Sequence, residues 1–232
     1  MKELPKTEGA PEPNVSSDKL RVLVVDDHPI VRRAISQMLS GKTDIEVCGE
    51  AGDALQALEA VERLMPNLAI VDIGLNGRNG LELIKDLKAR WPGVKVLVMS
   101  VHDESHYAER ALHAGAQGYV SKEARPRIIE DAIRQVAMGR VFLSETAAAG
   151  IINRVAGVRA AEGQSALDVL SDRETEVFEL LGQGYGTREI ADRFHLSPKT
   201  IASHLQNMKR KLKLVSTREL VRFSMAYNQD PH

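Results

Sequence analysis

Four short apolar runs in this chain are each followed by polar residues capable of chemistry. Arg21–Val25 leads into Asp26-Asp27, Leu68–Val71 into Asp72, Lys95–Met99 into Ser100, and Gly118–Val120, after Ser121, into Lys122. In an open parallel sheet, ligands bind outside the carboxyl ends of the strands, so these residues are expected at one edge. Three neighbouring carboxylates repel one another unless a cation sits among them, and all-oxygen ligation with retained waters suits Mg²⁺. With that charge cancelled, one carboxylate can attack a phosphoryl group while an ammonium pairs with one phosphoryl oxygen and a hydroxyl donates to another. Asp72, expected on the central strand, is the nucleophile in this reading, with Lys122 and Ser100 facing the phosphoryl oxygens.

The elements that must position these residues are legible in the pattern. Strands are expected at Arg21–Val25, Ile45–Cys48, Leu68–Val71, Lys95–Met99 and Gly118–Val120, with helical periodicity between them. Asp53 with Gln56 forms a capping box before Ala54–Leu64, Gly41 can close Ile30–Ser40, and Pro126 suits a first turn before Arg127–Ala137. Continuous apolar strands alternating with amphipathic helices predict a parallel sheet covered on both faces, a five-stranded doubly wound α/β domain.

Past Gly139 the strand signal stops, and Ser144–Gln164, rich in Ala and Gly, reads as a linker with some helical tendency. The rest is helical by pattern. Ser171 with Glu174 is a capping box, Gly182 and Gly184 end that helix, Thr187–Phe194 is short, Ser197-Pro198 opens a longer helix, and Ser216 with Glu219 repeats the capping signal. Ile201, Leu205, Met208 and Leu212 lie on one stripe, leaving Lys199, Ala202, Ser203, Gln206 and Arg210 facing out or toward the flanks. Between Ser197 and Lys213 there are Lys199, Lys209, Arg210, Lys211 and Lys213 but no acid, whereas the helix after Ser171 carries Asp172, Glu174, Glu176 and Glu179. Such a helix suits the major groove at its N-terminal half, with its cations on phosphates; a solvated basic helix of a structural bundle has the same periodicity.

Composition bounds the rest. At 232 residues the chain can hold two modest domains, and a net charge of −1 means that any basic surface is local. The single cysteine, Cys48, sits in an apolar run as a buried strand thiol, and the absence of an internal disulfide fits a reducing, cytoplasmic setting. No stretch approaches a membrane span, and residues 1–19 read as a disordered leader. His102, His106 and His113 lack the partners of a metal site, His28 is expected as a surface or capping residue, and Trp91-Pro92-Gly93 as a helix end.

Val24-Val25-Asp26-Asp27-His28-Pro29, Ile70-Val71-Asp72-Ile73, Val98-Met99-Ser100 and Gly118-Tyr119-Val120-Ser121-Lys122 together resemble the receiver domain of two-component response regulators, over Leu20 to about Gly139. The resemblance implies a flavodoxin-like fold and Mg²⁺ held by Asp26, Asp27, Asp72 and the backbone carbonyl of Gly74. It also implies phosphorylation of Asp72 by a sensor histidine kinase, and transmission of the change through Ser100, Lys122 and the switch residue Tyr119. One departure is Asn76, followed by Gly77, where the family usually has a proline, which leaves the backbone after the acceptor less restrained.

Leu170–Val177, Gly184-Tyr185-Gly186-Thr187-Arg188-Glu189-Ile190-Ala191, Leu196–His204 and Lys211-Leu212 resemble the LuxR-type helix-turn-helix domain, and with the receiver this is the NarL/FixJ class. The resemblance places base-reading residues at Ala202, Ser203 and Gln206, and Lys199, Thr200, His204 and Lys209 or Arg210 near the backbone of double-stranded DNA. Ala202 departs from the lysine often found there, and Gln206, which can pair with adenine, is the best base reader. The last helix, Thr217–Met225, is implied to supply a dimer contact, giving a homodimer on two half-sites. The expected organisation is a leader at 1–19, receiver at 20–139, linker at 140–165 and a small all-α four-helix helix-turn-helix domain at 166–230. The implied function is a phosphorylation-controlled transcriptional regulator, not an enzyme. Two rivals stay open: a phosphorylation-independent DNA-binding protein with a vestigial receiver, and a haloacid-dehalogenase-type phosphatase, which needs an acid where this chain has Gly74.

Overall fold

The computed structural model describes residues 19–75, 79–101, 104–156, 169–194 and 196–229. Residues 1–18 of the expected leader at 1–19, residues 157–165 of the expected linker, 166–168 at the start of the expected second domain, Asn76-Gly77, His102 and His195 lie outside the described residues. The first domain is a parallel sheet in the order β2-β1-β3-β4-β5, built from β1 (Leu20–Val25), β2 (Ile45–Ala51), β3 (Leu68–Val71), β4 (Lys95–Ser100) and β5 (Gly118–Ser121). The β2 strand runs past Cys48 to Ala51 because its pairing with β1 resumes after a register shift opposite Val22 and Leu23. Helices α1 (Pro29–Ser40), α2 (Ala54–Leu64), α3 (Gly80–Arg90), α4 (Glu104–Ala114) and α5 (Pro126–Ala137) return the chain between and after the strands. Each face of the sheet has its own apolar cluster, one including Leu23, Val71 and Val98, the other Val24, Ile70 and Leu97. Alternate residues of one strand therefore point to opposite cores, which is why these strands read as unbroken apolar runs.

The punctuation acts at the expected places with small differences. Asp53 accepts from the Gln56 backbone, but the Gln56 side chain reaches the amide of Gly52 rather than that of Asp53. His28 occupies the N-cap of α1 without a side-chain capping bond. The helical tendency of the stretch after Gly139 becomes α6 (Glu145–Val155), which rests on α4 and buries Ala147 in the receiver core. Phe142, just before it, bridges in parallel to Gly118 at the β5 edge.

Helices α7 (Asp172–Gly182), α8 (Thr187–Arg193), α9 (Pro198–Lys211) and α10 (Thr217–Gln229) form the helical domain, with a core that includes Val177, Phe178, Ile190, Ile201, Leu205, Met208 and Leu220. Phe178 meets Phe223 and Tyr227 edge to face, pinning α10 to α7. α10 extends past the expected Met225 to Gln229. Among the described residues, no helix is long and apolar enough to cross a membrane.

Candidate functional site

The strand-end rule brings the sequence-predicted groups to one edge. Asp26 and Asp72 leave adjacent parallel strands and are nearly fully buried, and Lys122, just past β5, reaches both: its Nζ lies 2.6 Å from Asp26 Oδ2 and 2.7 Å from Asp72 Oδ2. Burial pulls the Lys122 ammonium down, but Asp72 and Asp26 outweigh it and its pKa lies above the ordinary lysine value. Burial and the neighbouring Asp72 and Asp26 push the Asp27 carboxyl up, against the opposing pull of His28. His28 Nδ1 stands 2.6 Å from Asp27 Oδ1, so the residue that fails to cap α1 is turned onto the acid pair.

These groups fit a divalent cation. Ligand atoms of Asp26, Asp27, His28 and Asp72 all lie within 4.8 Å of one another, and Asp72 Oδ1 is buried without a hydrogen-bond partner. An orphaned carboxylate oxygen among further acids is the donor set a hard cation takes. Gly74 follows two residues after Asp72 in the bend before α3, half-buried.

Ser100 is fully buried at the end of β4 and hydrogen-bonds with the phenol of Tyr119. Tyr119 is itself buried, and burial drives its hydroxyl far above the ordinary tyrosine value. The serine and tyrosine of the expected relay therefore touch each other directly.

The second predicted site lies on α9. Ser197 caps the helix, accepting from the Thr200 amide at 3.1 Å, with the two hydroxyls 2.8 Å apart, so the Thr200 hydroxyl is engaged by the cap. Lys199, Ala202, Ser203, Gln206 and Arg210 are exposed, while Ile201, Leu205 and Met208 are buried. The Ser203 hydroxyl donates to the Lys199 carbonyl at 3.2 Å, leaving it as an acceptor to the outside. His204 is half-buried, and burial together with the Arg173 cation lowers its pKa, so its ring is neutral near pH 7.

One feature escaped the sequence pattern. On α7, Glu174, Thr175 and Glu176 are almost wholly buried. Glu174 takes up the Ser171 amide and the Lys211 ammonium within its own domain. Thr175 and Glu176 are held from both sides: within their own domain the Thr175 hydroxyl donates to the Ser171 carbonyl at 3.1 Å and Arg173 donates to Glu176 Oε2 at 2.8 Å, while from the receiver Arg110 of α4 donates to Thr175 Oγ1 at 2.9 Å and to the Leu170 carbonyl at 3.0 Å, and Asn79 Nδ2 donates to Glu176 Oε1 at 2.9 Å. Asp172 adds contacts at 3.2 Å to Arg110 and 3.3 Å to Lys85. The only available signal was Asn79 ahead of Gly80, an N-cap residue whose second hydrogen-bonding atom still needed a partner.

Comparison with known proteins follows the same division. Residues 22–134 match the family described as response regulator receiver domain, and residues 168–224 match bacterial regulatory proteins of the luxR family. The DNA-binding transcriptional activator DevR/DosR of Mycobacterium tuberculosis is 34% identical over 193 residues, 83% of this chain and 88% of the relative. The nitrate/nitrite response regulator NarL of Escherichia coli is 34% identical over 197 residues, 84% of this chain and 90% of that protein. RcsB of Salmonella enterica serovar Typhimurium, solved bound to the promoter rprA with a phosphomimetic, superposes with a TM-score of 0.61 over 89% of this chain and 98% of its own at 24% identity, which speaks to fold alone. With a five-stranded receiver, a LuxR-type helix-turn-helix and relatives alike along nearly their whole length, this chain belongs to the NarL/FixJ family of two-component response regulators, which regulate transcription in response to phosphorylation.

Proposed function

We propose that Asp72 is the phosphoacceptor, that α9 reads promoter DNA, and that a sensor histidine kinase supplies the phosphoryl group. The observation that carries this reading is the meeting of Asp26, Asp72 and Lys122 at the strand ends, with Asp72 Oδ1 buried and unpartnered. Asp72 Oδ1 forms the new P–O bond as the bond from phosphorus to the donor imidazole nitrogen breaks, the electron pair leaving with that nitrogen. Mg²⁺, held by Asp26, Asp27, Asp72 and the Gly74 carbonyl, would screen charge on the phosphoryl oxygens. Lys122 then has a phosphoryl oxygen within reach of the ammonium it now offers to Asp72 Oδ2. Ser100 can donate to a second only by changing its hydrogen bond with Tyr119, which makes that pair the natural relay.

On the DNA side, Ser203 and Gln206, exposed around the middle of α9, are the base readers, and Ala202 offers a methyl for apolar contact with thymine. Lys199, Lys209 and Arg210 meet phosphates, while His204, neutral, supplies a hydrogen bond rather than charge. Homodimers through α10 would place two α9 helices on one operator. The chain works as a cytoplasmic switch that is itself modified, not as an enzyme turning over a substrate; the domain limits are 20–139 and 166–230, joined by 140–165.

The test is Asp72→Asn. Acetyl phosphate with Mg²⁺ should label the wild-type chain and leave the variant unlabelled, and kinase-dependent gain in operator binding should disappear with it. Labelling of the variant at the wild-type level sinks the phosphoacceptor assignment; unchanged operator control with labelling lost favours a vestigial receiver.

A further inference from the structure

The phosphoryl chemistry gives His28 no task, yet the fold fixes it against the acid pair. Its backbone is held on both sides: the amide donates to Asp26 Oδ1 at 2.8 Å, and the carbonyl accepts from the Val31 and Arg32 amides as α1 begins. Pro29 at the start of α1 locks the next φ, so the two side-chain torsions of His28 are what remains to aim its ring. They set Nδ1 at 2.6 Å from Asp27 Oδ1 and 3.4 Å from Asp26 Oδ1. Capping does not explain this placement, because the ring makes no bond to the amides of α1.

Two observations point to a ligand. Ligand atoms of Asp26, Asp27, His28 and Asp72 all lie within 4.8 Å of one another, close to the span of about 4–4.4 Å between opposite ligands of one ion bonded at about 2.0–2.2 Å. Independently, Asp72 is buried and its Oδ1 has no hydrogen-bond partner, so the cluster holds a strong acceptor that is left unsatisfied. The donor set that results is three carboxylates and an imidazole. Mg²⁺ takes oxygens and keeps waters, and it gains little from a ring nitrogen. The later first-row dications, from Fe²⁺ to Zn²⁺, take imidazole readily.

We propose that His28 is a metal ligand, its Nδ1 joining the carboxylates of Asp26, Asp27 and Asp72 in a mixed nitrogen and oxygen site for a transition-metal dication, beside the all-oxygen mode that suits Mg²⁺. His28 is then the residue that sets how strongly the pocket favours one class of dication over the other. The proposal rests on the reading of the pocket as a cation site.

The test uses the full chain with Co²⁺ and Mg²⁺ as probes at about pH 8, where protons compete little for the nitrogen. Affinities are read by calorimetry, and ligation by proton NMR of the Co²⁺ form. Nitrogen and oxygen sites of any kind take Co²⁺ readily, so the informative quantity is the change in preference when the nitrogen is removed. The His28 side chain is 60% exposed and caps nothing, so His28→Phe keeps a planar ring and removes both nitrogens without unsettling α1. It should lower Co²⁺ affinity about tenfold or more, at least what losing an outer-shell partner costs a metal site, and leave Mg²⁺ affinity unchanged. In the wild type, Co²⁺ should throw the ring protons of a histidine far outside the diamagnetic range, and those signals should vanish in His28→Phe. An equal loss for both ions would mean that His28 merely orders the acids, and tighter binding of both would make it a competing positive charge; either result overturns the ligand assignment. So does wild-type Co²⁺ binding with no shifted histidine signal, a result that needs no variant, or with signals that survive the substitution. A wild-type chain that binds neither ion overturns the cation reading of the pocket and this inference with it.

Discussion

Asp72 and Lys122 are 50 residues apart in the chain and 2.7 Å apart in space, whereas the residues proposed to meet DNA, from Lys199 to Arg210, all come from one helix. The pocket is buried, charged and held by four strand ends at once; the α9 face is exposed, and its side chains are placed by a single cap and a single apolar stripe. Long-range assembly makes the first site sensitive to anything that moves a strand end. Local assembly makes the second tolerant, because each exposed side chain can be altered with little effect on the helix beneath. The two sites should therefore break differently: changes in the pocket cost stability and chemistry together, and changes on α9 cost binding alone.

The largest effect is expected from Lys122→Met. Removing one partner from a buried charge cluster leaves ionised carboxylates without compensation, a loss of about 3–5 kcal/mol. The Lys122 pKa lies above its ordinary value, so its stabilisation is fully present below the unfolded-state lysine pKa of about 10.4 and is lost only as pH rises through the higher folded value. In the variant the loss should be present at pH 7 and be largely recovered with Mg²⁺ or with a second change, Asp72→Asn. Urea titrations with and without Mg²⁺ check this; a variant as stable as wild type at pH 7 in chelator would show that Lys122 holds no charge balance.

Next in size is Gly80→Ala. The added methyl would meet the Asp72 carbonyl oxygen and the Ile73 Cα, both backbone atoms with no rotamer to yield, and overpacking of this kind costs about 1–3 kcal/mol. Because the clash falls on the backbone of Asp72, the proposed acceptor, a lower thermal midpoint should come with slower labelling by acetyl phosphate. Equal labelling at an equally folded fraction would separate the two effects and weaken the link between α3 and Asp72.

These expectations also mark what the sequence could disclose. The pocket was legible because a parallel sheet converts strand endings into neighbours, so Asp26, Asp72, Ser100 and Lys122 could be placed together from apolar runs alone. The caps of α2, α7 and α9 were legible because they are decided within three or four residues. The burial of Thr175 and Glu176 was not legible. On α7 they sit in a charged helical pattern that reads as a wet face, and their partners in the receiver, Arg110 and Asn79, lie 65 and 97 residues away. His28 was hidden differently: as the residue before Pro29 it looked like an ordinary helix start, and only the fold turns its ring onto Asp27.

Glu174 lies between the two extremes, buried but satisfied within its own domain. Burial raises its carboxyl, yet the Lys211 ammonium at 2.6 Å and the Ser171 hydrogen bonds outweigh this and leave its pKa below the usual glutamate value. Its stabilisation is thus present above pH of about 4.3 and lost as pH falls through the lower folded value. Glu174→Gln should cost roughly 1.5–2 kcal/mol at pH 7, the worth of a hydrogen bond to a charged group. The deficit should narrow in acid, as followed by helical circular dichroism, and a deficit independent of pH would mean that the cap matters and the charge does not.

The smallest effect on stability should fall on α9, where the cost is to binding alone, and this sharpens the contrast most directly. Lys199→Ala removes an exposed cation and, if it meets a phosphate, should weaken binding equally for every duplex and lower the slope of log affinity against log salt by about 1. Gln206→Ala removes a side chain that can pair with one base, costing about 1–3 kcal/mol on the preferred operator and less on a duplex changed at that base pair, with the salt slope unchanged. Neither residue is buried, so both variants should melt as the wild type does. If instead Gln206→Ala lowers the melting temperature, or weakens all duplexes alike, α9 is not read side chain by side chain, and the independence of its face from the fold beneath it would have to be given up.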